Sequence, residues 1–192
     1  MKKLEEVIEG CRRGDRLAQK ELYDRYSSRF NAFCRRYAAD DETAKDILIE
    51  GFLDVFQCVG QYRGDGSFEG WMQTVFLRKA ISFYRRNARR MQDTVSIDNR
   101  DFDMTSSVDV YMQIDVRDAL IEAIRELSDE ERVVFNLVAV EGSSLNEAAK
   151  EIGIPESTVK TRYYRALRIV RSLIEKRLGK DNLYRNKYKG DI

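Results

Sequence analysis

Ser144-Leu-Asn-Glu-Ala-Ala-Lys-Glu-Ile152, Gly153-Ile-Pro-Glu156 and Ser157-Thr-Val-Lys-Thr-Arg-Tyr-Tyr-Arg-Ala-Leu-Arg168 follow one another without a gap. The first stretch has the apolar spacing of a short amphipathic helix. The second carries the glycine and proline of a tight turn, and the third begins a new helix that Ser157 or Thr158 can cap. Two helices across such a turn form a helix-turn-helix, whose second helix can enter the major groove of a duplex.

On a helical projection from Val159, the residues Val159, Tyr163, Ala166, Leu167, Val170, Leu173 and Ile174 share one apolar arc. Lys160, Thr161, Tyr164, Arg165, Arg168, Arg171 and Ser172 lie opposite. Such cations commonly do no more than solvate a helix. Here the face is almost purely basic, carries a hydroxyl and an aromatic, and starts directly after the turn, which favours DNA. The N-terminal turns of a recognition helix go deepest into the groove, so Lys160, Thr161, Tyr164 and Arg165 are better base or phosphate candidates than Arg171. Arg162 borders the apolar arc and reads as a structural residue or a phosphate contact.

The surrounding composition is helical: the 192 residues include one proline and 11 glycines. A chain of this length can hold one large or two small domains; with two as the working count, the expected fold is all-α, two small helical domains joined by a flexible acidic linker. Apolar residues recur at helical spacing from Leu4 to Arg90, with breaks at Ala38-Ala-Asp-Asp41 and Arg63-Gly-Asp-Gly-Ser67. Residues 1–90 are therefore one domain, 91–115 the linker, 116–178 the second domain and 179–192 a polar tail. Net charge is only +1, but it is unevenly spread. Arg78 to Arg90 holds six basic residues and no acid, and Ser157 to Arg177 holds seven with one acid, the footprint of phosphate binding. Residues 91–115 carry Asp93, Asp98, Asp101, Asp103, Asp109 and Asp115 against Arg100 alone, so this stretch repels phosphates and is expected to be mobile in the free protein.

Several function classes drop out. The chain has no histidine, which removes imidazole catalysis and the usual zinc sites, and it has neither a Walker loop nor a GxGxxG. No catalytic residue, metal or cofactor is expected, and an enzyme is disfavoured. Cys11, Cys34 and Cys58 are odd in number and unpaired in spacing, as in reduced thiols of the cytoplasm. No apolar run approaches the roughly 18 residues of a membrane span. Asp40, Asp41, Glu42, Asp46, Glu50 and Asp54 could suggest a metal-dependent nuclease, although a solvated helix face is the commoner meaning of such a cluster.

Ser67-Phe-Glu-Gly-Trp-Met-Gln-Thr-Val-Phe-Leu-Arg-Lys-Ala-Ile-Ser-Phe-Tyr-Arg-Arg-Asn-Ala-Arg-Arg90 reads as one long helix. Arg78, Arg85 and Arg89 form a basic stripe, with Lys79, Arg86 and Arg90 beside it. Aromatics interleaved with arginines suit unpaired DNA, where bases stack and phosphates need neutralising. For Trp71, core packing is the expected fate.

The whole chain, from about Gly10 to Leu178, resembles the extracytoplasmic-function group of the bacterial sigma-70 family. Leu127-Ser-Asp-Glu-Glu-Arg-Val-Val-Phe135, Glu141-Gly-Ser-Ser144, Glu147-Ala148 and Gly153-Ile-Pro-Glu-Ser-Thr-Val-Lys-Thr-Arg-Tyr-Tyr-Arg-Ala166 follow that family's region 4, and Ala44-Lys-Asp-Ile-Leu-Ile-Glu-Gly-Phe52 is similar to its region 2.2. The resemblance implies an alternative sigma factor, non-enzymatic and cytoplasmic, that directs core RNA polymerase to promoters with -10 and -35 elements. It implies -35 contacts from Thr158, Lys160, Thr161, Tyr164, Arg165 and Arg168. For -10 melting and recognition it implies Arg63, Ser67, Phe68, Arg78, Lys79, Ser82, Arg85 and Arg86. Docking on the beta-prime coiled coil is implied for Asp46, Glu50 and Phe52. The beta flap and an anti-sigma protein are further implied partners, and the linker is implied to thread the channel that nascent RNA later occupies. Arg78 stands where the family usually has Asn, Ser82 where it has Asp, and Ile49 where it has Gln; these departures bear on -10 base preference, not on class. A lone helix-turn-helix would equally fit a repressor or a response-regulator output domain, and the N-terminal half argues against both.

Overall fold

The computed structural model describes residues 3–91 and 114–178, which fall into two compact units divided after Arg86. Most of the expected linker, 92–113, and the tail 179–192 lie outside the described residues.

In the N-terminal unit, α1 (Leu4–Arg12), α2 (Arg16–Tyr37), α3 (Asp41–Cys58) and α4 (Phe68–Met91) follow in order, with a short 3-10 turn at Val59–Gln61. Their starts follow local chemistry. Asp15 accepts from the Leu17 amide at 2.8 Å to cap α2, and Asp40 accepts from the Thr43 amide at 2.7 Å to cap α3, whose first turn adds Asp41 and Glu42 at the positive end of the helix dipole. Ser67 accepts from the Gly70 amide at 3.1 Å to start α4. The glycine-rich break is a loop in which Gly64 and Gly66 take φ of 87° and 82°, the left-handed region that other residues resist.

The core of this unit is aromatic. Phe76 of α4 stacks on Phe30 of α2 at 4.2 Å between centroids and meets Phe52 of α3 edge-on at 5.3 Å. Gly51 makes that approach possible, because a Cβ there would stand 2.3 Å from Phe76 Cε1. Burial pushes the thiol of Cys34 up to about 12, and that of Cys11 up to about 11 with the Asp15 carboxylate adding to it. Thiolate is the reactive form, so native alkylation at neutral pH is expected to modify half-buried Cys58 first; mass spectrometry showing Cys11 or Cys34 modified earlier would contradict this.

The C-terminal unit comprises α5 (Ile114–Arg125), α6 (Asp129–Phe135), α7 (Leu145–Ile152) and α8 (Glu156–Leu178). Helix thus takes over at Ile114, two residues before the expected boundary. Ala123, Ile124, Leu127, Phe135, Ala166, Val170 and Ile174 form the core, with Leu120, Tyr163, Leu167, Ile169 and Leu173 packed against it. The apolar arc of α8 read from sequence is the arc that is buried.

The Leu127–Phe135 motif has a physical explanation. Ser128 and Glu131 form a reciprocal capping box at the start of α6. Arg132, almost fully buried, donates to the carbonyls of Ile124, Arg125 and Leu127, closing the C-terminus of α5 whose last carbonyls would otherwise be orphaned. Asp129 pairs with the same guanidinium. After α6 the chain widens into a π-helical turn at Asn136–Val140, closed by the Glu141 amide donating to the Asn136 carbonyl at 2.9 Å.

Candidate nucleic-acid interface

Ser144 and Glu147 form a second capping box that starts α7, and Gly153, at φ 79°, ends it with its amide 2.8 Å from the Ala149 carbonyl. The Ser144 amide and hydroxyl hold the Glu147 carboxyl below its usual range. A depressed folded-state pKa stabilises above the ordinary carboxylate range, and that contribution is lost as pH falls through the folded value. Neither Ser157 nor Thr158 caps α8. The helix starts at Glu156, with the Pro155 carbonyl accepting from the amides of Thr158 and Val159, because proline already holds the backbone angle of a helix start. Asn146 donates to Glu156 at 2.9 Å and ties the two helices of the motif together.

On α8, Lys160, Thr161, Arg165 and Arg168 are exposed, and Thr158 and Tyr164 are half-buried. The Thr161 hydroxyl donates to the Ser157 carbonyl at 3.0 Å. Burial raises the Tyr163 phenol, so this core-side ring stays neutral, while its neighbour Tyr164 stands 5.5 Å away between centroids. Arg162 pairs with Glu130 at 2.7 Å, in keeping with its position at the edge of the apolar arc. Arg165 pairs through Nε with Glu131 at 2.8 Å, a contact between α8 and α6 that the sequence did not signal.

In the N-terminal unit the basic residues of α4 divide. Arg78, Ser82 and Arg85 are exposed on successive turns. Lys79 instead lies 2.7 Å from Asp54 and 3.5 Å from Glu50, and Arg86 donates to both Glu50 oxygens at 3.0 and 3.1 Å. Cations assigned to DNA and a carboxylate assigned to polymerase therefore meet across α3 and α4. The side chains of Arg89 and Arg90 lie outside the described residues. Arg63 and Ser67 are exposed in and after the loop.

Two of the assigned aromatics lie in the core. Phe68 is 3 % exposed, with its ring 5.0 Å from Tyr62 and 5.4 Å from Trp71, so it packs in the core. Phe52 is 2 % exposed, with its ring 4.8 Å from Tyr23 and 5.3 Å from Phe76, and likewise packs in the core. Trp71, expected in the core, is only half-buried, 5.7 Å from half-buried Tyr62 at the edge of the loop.

The acidic face of α3 contains more than acids. Ile49 and Leu53 are 55 % and 53 % exposed, and with Asp46 and Glu50 they occupy positions i, i+3, i+4 and i+7 of one surface stripe. Ile49 and Leu53 were missed because apolar residues run almost all round this helix, and spacing alone does not reveal which are left outside. Three others of the acidic cluster have partners within this unit: Asp40 caps α3, Asp41 pairs with Arg35 at 3.2 Å, and Asp54 pairs with Lys79. No described helix is long and apolar enough to cross a membrane.

Residues 22–90 match the family described as Sigma-70 region 2, and residues 117–170 match Sigma-70, region 4. The chain is 25 % identical over 171 residues to the RNA polymerase sigma-H factor of Pseudomonas aeruginosa, covering 84 % of this chain and 89 % of that one. It is 25 % identical over 172 residues to the ECF RNA polymerase sigma factor BldN of Streptomyces coelicolor, covering 88 % of this chain and 65 % of that one. Among solved structures, the sigma factor RpoE in complex with the anti-sigma factor NepR from Bartonella quintana aligns over 81 % of this chain and 96 % of that chain, at 20 % identity and a TM-score of 0.46. With region 2 matched in the unit that carries α3 and α4, and region 4 in the unit that carries the helix-turn-helix, the chain belongs to the sigma-70 family, as an alternative sigma factor of the extracytoplasmic-function type that directs RNA polymerase to promoters.

Proposed function

We propose that residues 1–90 dock on core polymerase and open the -10 element, that 116–178 read the -35 element, and that the chain acts in the cytoplasm without catalysis of its own. The observation that carries this reading is the outward face of α8, where Lys160, Thr161, Arg165 and Arg168 stand exposed directly behind the helix-turn-helix turn. Base edges in the major groove are read by such donors, and phosphates are neutralised by the remaining cations.

The experiment is transcription in vitro with core polymerase. Lys160→Ala and Arg165→Ala are each expected to cost about 1–3 kcal/mol at -35-dependent promoters where the side chain contacts a base. A phosphate contact would lower binding to all sequences alike and lessen the salt dependence. A double variant with undiminished activity at such promoters would remove α8 from the reading.

For the -10 element we assign Arg63, Ser67, Arg78, Ser82 and Arg85 with the Tyr62 and Trp71 rings. Lys79 and Arg86 remain in the set on condition that their α3 partners release them. Docking falls to the stripe Asp46, Ile49, Glu50 and Leu53, which combines charge with exposed apolar area. Asp46→Lys is the clean probe, since reversal at Glu50 also breaks the pair with Arg86 and one of the two pairs of Lys79. Its expected result is a loss of core-polymerase affinity of about tenfold or more with helicity intact; unchanged retention of polymerase would place docking elsewhere. Family membership supports an anti-sigma protein as a further partner for these faces.

A further inference from the structure

Among the described residues two charged side chains are buried, Glu131 and Arg132. Arg132 closes α5. The function of Glu131 extends beyond its capping box. One carboxylate oxygen, Oε2, accepts from the Ser128 amide at 3.2 Å and hydroxyl at 2.9 Å. The other, Oε1, lies 2.8 Å from Arg165 Nε. The carboxylate side chain is 8 % exposed, yet the arginine it holds is 62 % exposed. A guanidinium has a side edge, through Nε, and an end edge made by its two terminal nitrogens. Glu131 pairs with the side edge, through Nε, and the terminal nitrogens belong to a side chain that is mostly exposed.

From this geometry we propose that Glu131 is a positioning residue for base recognition: it locks Arg165 so that the terminal nitrogens present a ready-made fork to the O6 and N7 acceptors of a guanine. The inference rests on the reading of α8 as the major-groove helix. The charge argument favours base over phosphate. A carboxylate beside Arg165 cancels most of its attraction for a phosphate, so a phosphate-binding arginine is poorly served by such a partner. Bidentate hydrogen bonding depends on direction, and direction is what the pair supplies. Holding the side chain in advance also removes the rotamer entropy that binding would otherwise cost. The neighbouring pair Glu130–Arg162 differs, because Arg162 is 22 % exposed and has little surface to present. That pair clamps α6 to α8, and it is the internal control.

Glu131→Gln separates the two functions, because glutamine serves at this position of a capping box but cannot pair with Arg165. The test uses the full chain with core polymerase on promoters in which every -35 base pair is varied in turn. Arg165→Ala is expected to flatten discrimination at one G·C pair, and Glu131→Gln to flatten the same pair by roughly fivefold or more. In the Arg165→Ala background, Glu131→Gln is expected to change discrimination no further, and Glu130→Gln alone is expected to leave it unaltered. If Arg165→Ala flattens a position that Glu131→Gln leaves sharp, Glu131 only caps α6 and the positioning is wrong. If Glu131→Gln lowers discrimination equally with and without Arg165, it acts through the fold and the positioning is again wrong. If Arg165→Ala leaves every -35 position sharp, the base-contact reading of Arg165 fails, and the positioning with it.

Discussion

Arg132→Ala is expected to destabilise the C-terminal unit by about 3 kcal/mol or more, because a buried network loses its only cation and several buried carbonyls lose their donor together. The Ile124, Arg125 and Leu127 carbonyls all point at this one guanidinium, and no water-exposed side chain can replace it without opening the junction between α5 and α6. Arg132→Lys is expected to recover little of the loss, since an ammonium cannot reproduce a planar fork directed at three acceptors. Urea unfolding followed by far-UV circular dichroism, with hydrogen exchange assigning the loss to 114–178, measures it. A midpoint within error of the unsubstituted protein would show that the carbonyls find other partners. The same variant is expected to lose -35 discrimination, because α6 carries Glu131, the carboxylate that pairs with Arg165 of α8.

Phe76→Ala is expected to cost about 3–5 kcal/mol in the N-terminal unit, the usual range for deleting a buried aromatic side chain. Phe76 is completely buried and joins the rings of α2 and α3, so its loss empties the centre of the aromatic core. Gly51→Ala attacks the same contact from the opposite side. The added Cβ would overlap the Phe76 ring, and overpacking of this kind costs about 1–3 kcal/mol. Combining Gly51→Ala with Phe76→Leu, which gives up the offending ring, is expected to destabilise less than the sum of the two single changes, as residues in direct contact commonly do. Trp71 is the single tryptophan and lies on α4, so its fluorescence follows unfolding of this unit. Strictly additive effects would mean that Gly51 is there for some reason other than the ring. Because α3 also carries the proposed docking stripe, polymerase retention by Gly51→Ala is expected to fall with the stability of the helix.

The helix starts were legible to the extent that their chemistry is local. Ser144, with Glu147 three residues on, and Gly153 announce α7 in sequence, and the structure places both caps there. The start of α8 was misread because Ser157 and Thr158 are good caps in general, whereas here Pro155 already sets the backbone and the helix begins one residue after it. Phe52 and Phe68 were assigned to partners on the strength of family position. Three-dimensional packing assigns them to the core, and it puts Tyr62, Trp71, Ile49 and Leu53 at the surface in their place.

All-helical class, the helix-turn-helix and membership of the family were carried by the amino-acid order itself, because apolar period, capping residues and turn glycines act within a few neighbours along the chain. Which charges remain available to a partner was settled only by tertiary structure. Arg78 and Lys79 are adjacent and chemically alike, yet one faces solvent and the other meets Asp54 and Glu50 of α3. Arg165 lies on the outer face of α8, yet it pairs with Glu131, 34 residues earlier in the chain. An ion pair forms wherever folding brings opposite charges within a few ångströms in a medium less polar than water, and that distance depends on how helices pack, which no local pattern encodes.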